Sequence, residues 1–91
     1  MPQVTIYTTP FCGYCVRAKS LLQRRGIAYR EIDVSRDPAR RRWLATRTGQ
    51  RTVPQIFIDD LSIGGCDELH ALDRDGRLDT MLRSSVSAKT G

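Results

Sequence analysis

Residues 4–34 read as a β-rich run, VTIYT at 4–8, then a helical run from Gly13 to Arg25, then a second β-rich run, IAYREIDV at 27–34. No other feature restricts the fold as strongly. Two strands joined through a helix pair in parallel, and that crossover is right-handed. The helical run carries Val16, Ala18, Leu21 and Leu22 at helical spacing, and Gly26 supplies a stop. Ser35 can cap a second helix, with Asp37 and Pro38 in its first turn. That helix carries Trp43 and Leu44 and ends at Gly49. VPQIFID at 53–59 reads as a third strand and LSIGG at 61–65 as a short fourth, with Asp59 and Asp60 at the turn between them. Asp67 lies at the start of a last helical stretch containing Leu69, Leu72, Leu78 and Leu82, interrupted at Gly76. The expected order is β-α-β-α-β-β-α, an α/β fold with one sheet and helices on its faces. A chain of 91 residues suits a single domain. We expect that domain at 1–84, with a small, polar, flexible tail at 85–91.

No apolar run approaches the ~20 residues of a membrane-spanning helix. The start, MPQVTIYTTP, has no basic segment followed by an apolar block, so no secretory signal is read. The expectation is a cytoplasmic protein without membrane association, in a compartment where structural disulfides are rare. The net charge is +5, largely from arginine, and six arginines fall between Arg36 and Arg51. Such a run is a solvated helix face or a surface for anionic partners, such as a peptide carboxylate or an acidic protein. Nothing in the chain matches a nucleic-acid module, and no nucleic-acid partner is expected.

Cys12 and Cys15 stand where the first strand hands over to the first helix, in TTPFCGYCVRAKSLL. Three cysteines cannot all pair. A sulfur at a helix start meets unsatisfied N–H groups and the positive end of the helix dipole, which favour a thiolate. Thiols at such positions have pKa values of roughly 3.5–7.5, against about 8.5 when free. The thiolate is the species that attacks a disulfide. One helical turn on, Cys15 faces the same way and can resolve the mixed disulfide, so it is expected to be the more buried, protonated partner. Cys-x-x-Cys alone also fits a metal site. Cys12, Cys15, Cys66 and His70 make a three-Cys, one-His set on paper, although a cysteine inside a helix suits a zinc knuckle poorly.

Three stretches in this order are more specific: CGYC after the first strand, RTVPQIFI at 51–58, and GGCDEL at 64–69. Together they resemble the glutaredoxins, particularly the small bacterial dithiol type, from about Val4 to Leu82. The resemblance implies a thioredoxin-like fold with a four-stranded mixed sheet flanked by helices. It implies glutathione-dependent thiol–disulfide exchange on glutathionylated or disulfide-containing proteins, with Cys12 and Cys15 catalytic. It also implies a cis bond before Pro54, which leaves the Val53 backbone free to pair with an extended peptide such as glutathione. With Thr52, Val53 and Pro54, the glutathione contacts it implies are Tyr14, Arg41, Gly65, Cys66 and Asp67. Gly64 and Gly65 permit close backbone approach, and the N–H groups of Cys66 and Asp67 can receive a carboxylate. Arg41 is equally readable as one of several solvated arginines, Asp67 as a helix cap, and Cys66 as a small packing residue. A thioredoxin served by a flavoprotein reductase is the competing reading, and GGCDEL argues against it.

Two positions depart from the family pattern. Gly13 stands where many members have proline between the cysteines. Members without that proline include some that hold a [2Fe–2S] cluster in a dimer, with the first cysteine of each subunit and two glutathiones as ligands. Cys12 is therefore the alternative cluster ligand, in a protein otherwise expected to be a monomer. Thr9 replaces a lysine common three residues before the first cysteine, which removes one positive charge from the site.

Overall fold

The computed structural model describes residues 2–90, and the side chains of residues 2–83. Four strands form one mixed sheet in the order β2-β1-β3-β4. Strand β1 (Val4–Thr8) pairs in parallel with β2 (Arg30–Asp33), as the crossover through α1 (Gly13–Arg24) requires. On its other side β1 pairs antiparallel with β3 (Gln55–Ile58), Ile6 opposite Ile56. A hairpin turn leads from β3 to β4 (Leu61–Gly64). Helix α2 (Pro38–Thr48) lies between β2 and β3, and α3 (Cys66–Arg74) and α4 (Arg77–Thr90) follow β4.

Side-chain alternation along the strands divides the core in two. Val4, Ile6, Ile56 and Ile58 face α1 and α3, where Ala18, Leu21, Leu22 and Leu69 bury against them with Leu78 of α4. Tyr7 and Phe57 point the other way, onto Leu44 of α2 and Val34. Every residue of β3 is consequently buried, as expected of a central strand covered on both faces.

Four element starts differ from the sequence expectation, and several ends fall one residue earlier. Strand β2 begins at Arg30 because Ile27 is taken up by the end of α1. The Ile27 N–H donates to Leu22 O at 2.9 Å and the Gly26 N–H to Gln23 O at 3.1 Å, with Gly26 at φ 68°. These are the two bonds of a Schellman cap, and Ile27 packs on the main core as its apolar partner. Helix α2 is capped by Asp37, whose Oδ1 accepts the Arg40 N–H at 3.0 Å, while the Ser35 N–H donates to Asp33 Oδ1. Pro38 then opens the helix, where its missing N–H costs nothing. Strand β3 begins at Gln55, after Pro54, which follows a cis bond and has no N–H to give to the ladder. Finally, α3 starts at Cys66, with Gly65 as its N-cap. The last helical stretch breaks at Gly76, φ 75°, into α3 and α4. Val16, read as part of the apolar face of α1, is 58% exposed and points away from the core. The side chains of the expected tail, 85–91, lie outside the described residues.

Candidate active site

Phe11 is the last residue before the cysteine pair, and it is fully exposed with φ 61°. That left-handed step sets the chain into an extended Cys12, which serves as the N-cap of α1. Cys12 Sγ accepts the Cys15 N–H at 3.1 Å, so sulfur does here what the oxygen of Ser or Asp does at most caps. Its S–H lies 3.8 Å from Val53 O, the carbonyl next to the cis bond. Cys12 is partly exposed, and Cys15 is 1% exposed beneath it. Burial first, and then the bond with Cys12, push the Cys15 thiol up to about 12. Cys15 is therefore a thiol at neutral pH, and all three cysteines are free.

The cis bond and the glycine pair belong to one construction. A Cβ on Gly65 would meet Pro54 O at 3.0 Å, so any side chain at 65 would push the start of α3 and the Pro54 backbone apart by a few tenths of an ångström. Gly64 stands at φ 101°, and a Cβ there would meet Glu68 Oε1 at 2.7 Å. Glu68 reaches back to accept the Gly65 N–H at 2.7 Å. This is half of a capping box, since glycine has no side chain with which to return the bond. The helix start thus lies against Pro54, and Asp67 is exposed in its first turn.

Cys66, the first residue of α3, is 5% exposed. Burial pushes its thiol up from the usual range. His70 Nδ1 lies 2.8 Å from Cys66 O and 3.4 Å from its Sγ. Because a carbonyl only accepts, Nδ1 is the protonated nitrogen. Among the described residues no three of His, Cys, Asp and Glu are grouped as a metal ion would need.

On the other side of the Val53 loop, Arg41, Gln50, Arg51, Thr52 and Val53 border one depression with Val34 and Leu44. Of these, Gln50 was not singled out in the sequence, and Arg51 entered there only as the end of the arginine run. Only the fold of the 49–53 connection brings them beside Arg41. Gln55 was missed as well. It is 1% exposed, and its Nε2 donates to Thr52 O at 3.0 Å, bracing the loop from below. Its one advance signal was a polar residue in an otherwise apolar strand. Tyr14 is 58% exposed beside the pair, with the Arg17 guanidinium 6.0 Å from its ring centre. Cys12, Cys15, Val53, Pro54 and Gly65 thus meet in one place. Thr52 and Arg41 flank it on the α2 side, and Tyr14 and Asp67 border it with exposed side chains. Cys66 sits at the same helix start but turns its sulfur inward. Chemically, the arrangement offers one accessible sulfur at a helix N-terminus, a protonated thiol one turn below it, and alongside them the Val53–Pro54 turn, which lies outside the strand ladder.

The glutaredoxin family model matches residues 4–63. A glutaredoxin of Pseudomonas aeruginosa is 54% identical over 82 residues, covering 90% of this chain and 98% of its own. The solution structure of a glutaredoxin from Brucella melitensis superposes with a TM-score of 0.84 at 48% identity, over 93% of this chain and 92% of that one. The crystal structure of a buckwheat glutaredoxin–glutathione complex superposes with a TM-score of 0.85 at 37% identity, over 91% of this chain and 78% of that one. The mixed four-stranded sheet is the thioredoxin-like sheet of these proteins. With two cysteines at the head of α1, a cis-proline turn against them and a glycine pair packed on that turn, the chain belongs to the glutaredoxin family and is a thiol–disulfide oxidoreductase.

Proposed function

We propose that this protein reduces protein–glutathione mixed disulfides and protein disulfides with glutathione as the reductant. The observation that carries the reading is the contrast within the pair: Cys12 Sγ is accessible and takes the Cys15 N–H, while Cys15 is buried and protonated. In the one-cysteine route the Cys12 thiolate attacks the glutathione sulfur of a protein–glutathione disulfide. The Cys12–glutathione bond forms, the substrate S–S bond breaks, and the protein thiolate leaves and takes up a proton. A second glutathione thiolate then attacks the bound glutathione sulfur, forming glutathione disulfide and freeing the Cys12 thiolate. With a protein disulfide, Cys15 gives up its proton as it attacks the Cys12 mixed disulfide. The resulting Cys12–Cys15 bond is reduced by two glutathiones.

The same reading assigns glutathione to the surface around Cys12. The Val53 backbone pairs with its cysteinyl residue, and Thr52 and Pro54 shape that turn. The first N–H groups of α3, at Cys66 and Asp67 after Gly65, take the γ-glutamyl carboxylate. The Asp67 carboxylate receives the ammonium, Arg41 the glycyl carboxylate, and Tyr14 borders the sulfur. The buckwheat relative, solved with glutathione, supports this assignment. The protein acts as a cytoplasmic monomer through residues 1–84. Glutathione-dependent turnover of a small glutathione mixed disulfide, measured for wild type, Cys12→Ser and Cys15→Ser, tests it. Loss in Cys12→Ser alone is expected, and full activity of Cys12→Ser would overturn it.

A second reading is a glutathione-ligated [2Fe–2S] dimer. What favours it is that Cys12 is accessible beside a Gly13 with open space around it. The residues fit a site to which each chain gives a single sulfur, since Cys15 and Cys66 are buried. Such a cluster would make the protein a carrier or sensor. Iron and sulfide retained through anaerobic purification, and lost in Cys12→Ser, would establish it.

A further inference from the structure

The whole net charge of the molecule sits in one segment. Residues 36–51 hold six arginines and one acidic residue, Asp37. The remaining residues hold nine basic and nine acidic side chains, because the totals are 15 and 10. Asp37 is engaged as the cap of α2. All six arginines are exposed. Among the described residues, none of Arg36, Arg40, Arg41, Arg42 and Arg51 forms an ion pair with a carboxylate.

Helix stability does not explain their placement. Pro38 is the first residue of α2, so Arg40, Arg41 and Arg42 fall in its first turns, and no acidic residue lies in the first turn. That is the end where the helix dipole disfavours cations. Nor is the segment uniformly polar. Trp43 is 44% exposed, stacks on Phe57 with ring centres 5.9 Å apart, and has the Arg40 guanidinium 5.9 Å over its ring. Arg47 lies 5.5 Å over the Phe57 ring. The interleaving of arginine and aromatic rings is absent from the linear sequence, and it arises because α2 lays Trp43 over a strand residue. Exposed Trp framed by Arg is the composition of binding hot spots. The segment runs directly into Thr52 and Val53, whose carbonyl lies 3.8 Å from Cys12 Sγ.

We infer that the exposed arginine-rich surface of residues 36–51, on and beside α2, is a docking surface for acidic protein substrates, holding a partner whose disulfide is flanked by carboxylates so that its sulfur reaches Cys12. This inference rests on the thiol–disulfide reading above and narrows its substrate class. The face works by raising the encounter rate and by orienting the partner, both of which salt weakens. A substrate with no acidic flank gains nothing from it.

The test uses three peptides of equal length carrying one glutathionylated cysteine flanked by Glu, Ser or Lys, together with the mixed disulfide of glutathione and cysteamine. Variants R36E/R40E/R42E and R36Q/R40Q/R42Q remove the face without touching Arg41 or Arg51. R30E/R74E/R77E makes the same change in net charge elsewhere on the surface. The expected result for wild type at low salt is a kcat/KM about tenfold or more higher for the Glu peptide than for the Lys peptide, within the range of electrostatic steering. That preference fades at about 0.5 M salt, where the Debye length is only a few Å. It is lost in both α2 variants and kept in R30E/R74E/R77E, while cysteamine–glutathione turnover stays unchanged in all. Glutamate at the N-terminal end of α2 suits the helix dipole, so the reversed variant is expected to fold. Equal rates for the three peptides in wild type would overturn the proposal. So would an equal loss in R30E/R74E/R77E, or binding of a dT20 oligonucleotide at physiological salt that outcompetes the Glu peptide. Loss of cysteamine–glutathione turnover in wild type would count against the parent reading instead.

Discussion

Cys12 and Cys66 both stand at the start of a helix, yet only one is arranged to react. Cys12 caps α1 from outside, with Sγ accepting the Cys15 N–H and one side open to solvent. Cys66 is already inside the first turn of α3, 5% exposed, with Sγ 3.4 Å from a His70 ring nitrogen that donates to the Cys66 carbonyl. Desolvation raises the Cys66 thiol, although the N–H groups of its helix lie close by. Proximity to a helix N-terminus therefore does not by itself leave a sulfur within reach of a substrate. The sulfur must hold the cap position, where it meets those N–H groups and keeps a path to solvent.

The largest expected effect tests this contrast directly. Cys12→Ser reduces disulfide turnover to background, and Cys66→Ser leaves it unchanged, in the same coupled glutathione assay. Iodoacetamide at neutral pH should label Cys12 in the native protein, and should reach Cys15 and Cys66 only after unfolding. Mass spectrometry showing early modification of Cys66 would break the comparison.

Next in size is Gly65→Ala, which strikes the joint between the two cysteine-bearing helices. Its Cβ would sit 3.0 Å from Pro54 O, a backbone atom that cannot step aside, so a loss of about 1–3 kcal/mol is expected in denaturant unfolding. Turnover should fall too, because the start of α3 shifts relative to Val53. A variant as stable and active as wild type would show that this joint does not need glycine.

The alkaline pH dependence of stability follows from Cys15. Its folded thiol is held up to about 12 from 9.0, chiefly by burial. Above pH 9 the unfolded chain loses a proton that the native protein keeps. Stability is therefore full below that pH and falls as pH rises towards 12, by up to ~1.4 kcal/mol per unit for this group. Cys15→Ala should flatten the curve between pH 9 and 11, measured by urea unfolding. An unchanged slope would show that Cys15 is not the group responsible. The smallest effect expected is for Glu68→Ala. It removes the acceptor of the Gly65 N–H and should cost about 1 kcal/mol without changing the labelling order of the cysteines.

Much of this organisation was legible in the chain, and the reason is locality. The strand–helix–strand alternation of residues 4–34, the cysteine at a helix start, the stop at Gly26 and the break at Gly76 depend on neighbours within a few residues. The boundaries that moved were decided by competition between local options. Ser35 and Asp37 can each cap α2, and Pro38 favours Asp37, because the residue before a proline is driven out of helical backbone and Asp37 stands at φ −131°, ψ 77°. Ile27 can extend β2 or close the Schellman cap of α1, and burial of its side chain on the main core favours the cap.

Residue order and spacing alone determined the alternation of elements, the reactive pair and the concentration of charge between Arg36 and Arg51. That Cys15 would be the more buried of the pair was already legible in the sequence, whereas how completely Cys15 and Cys66 are sealed, at 1% and 5% exposure, was decided by the tertiary structure. Tertiary structure also decided that Gly65 packs against Pro54 O, that Arg51 joins Arg41, and that Trp43 lies over Phe57 between two arginines. Each of these contacts joins segments from different strands, helices or loops. Capping and periodicity act through the few residues that share a turn, whereas burial and non-local contact exist only once the sheet has brought distant segments together.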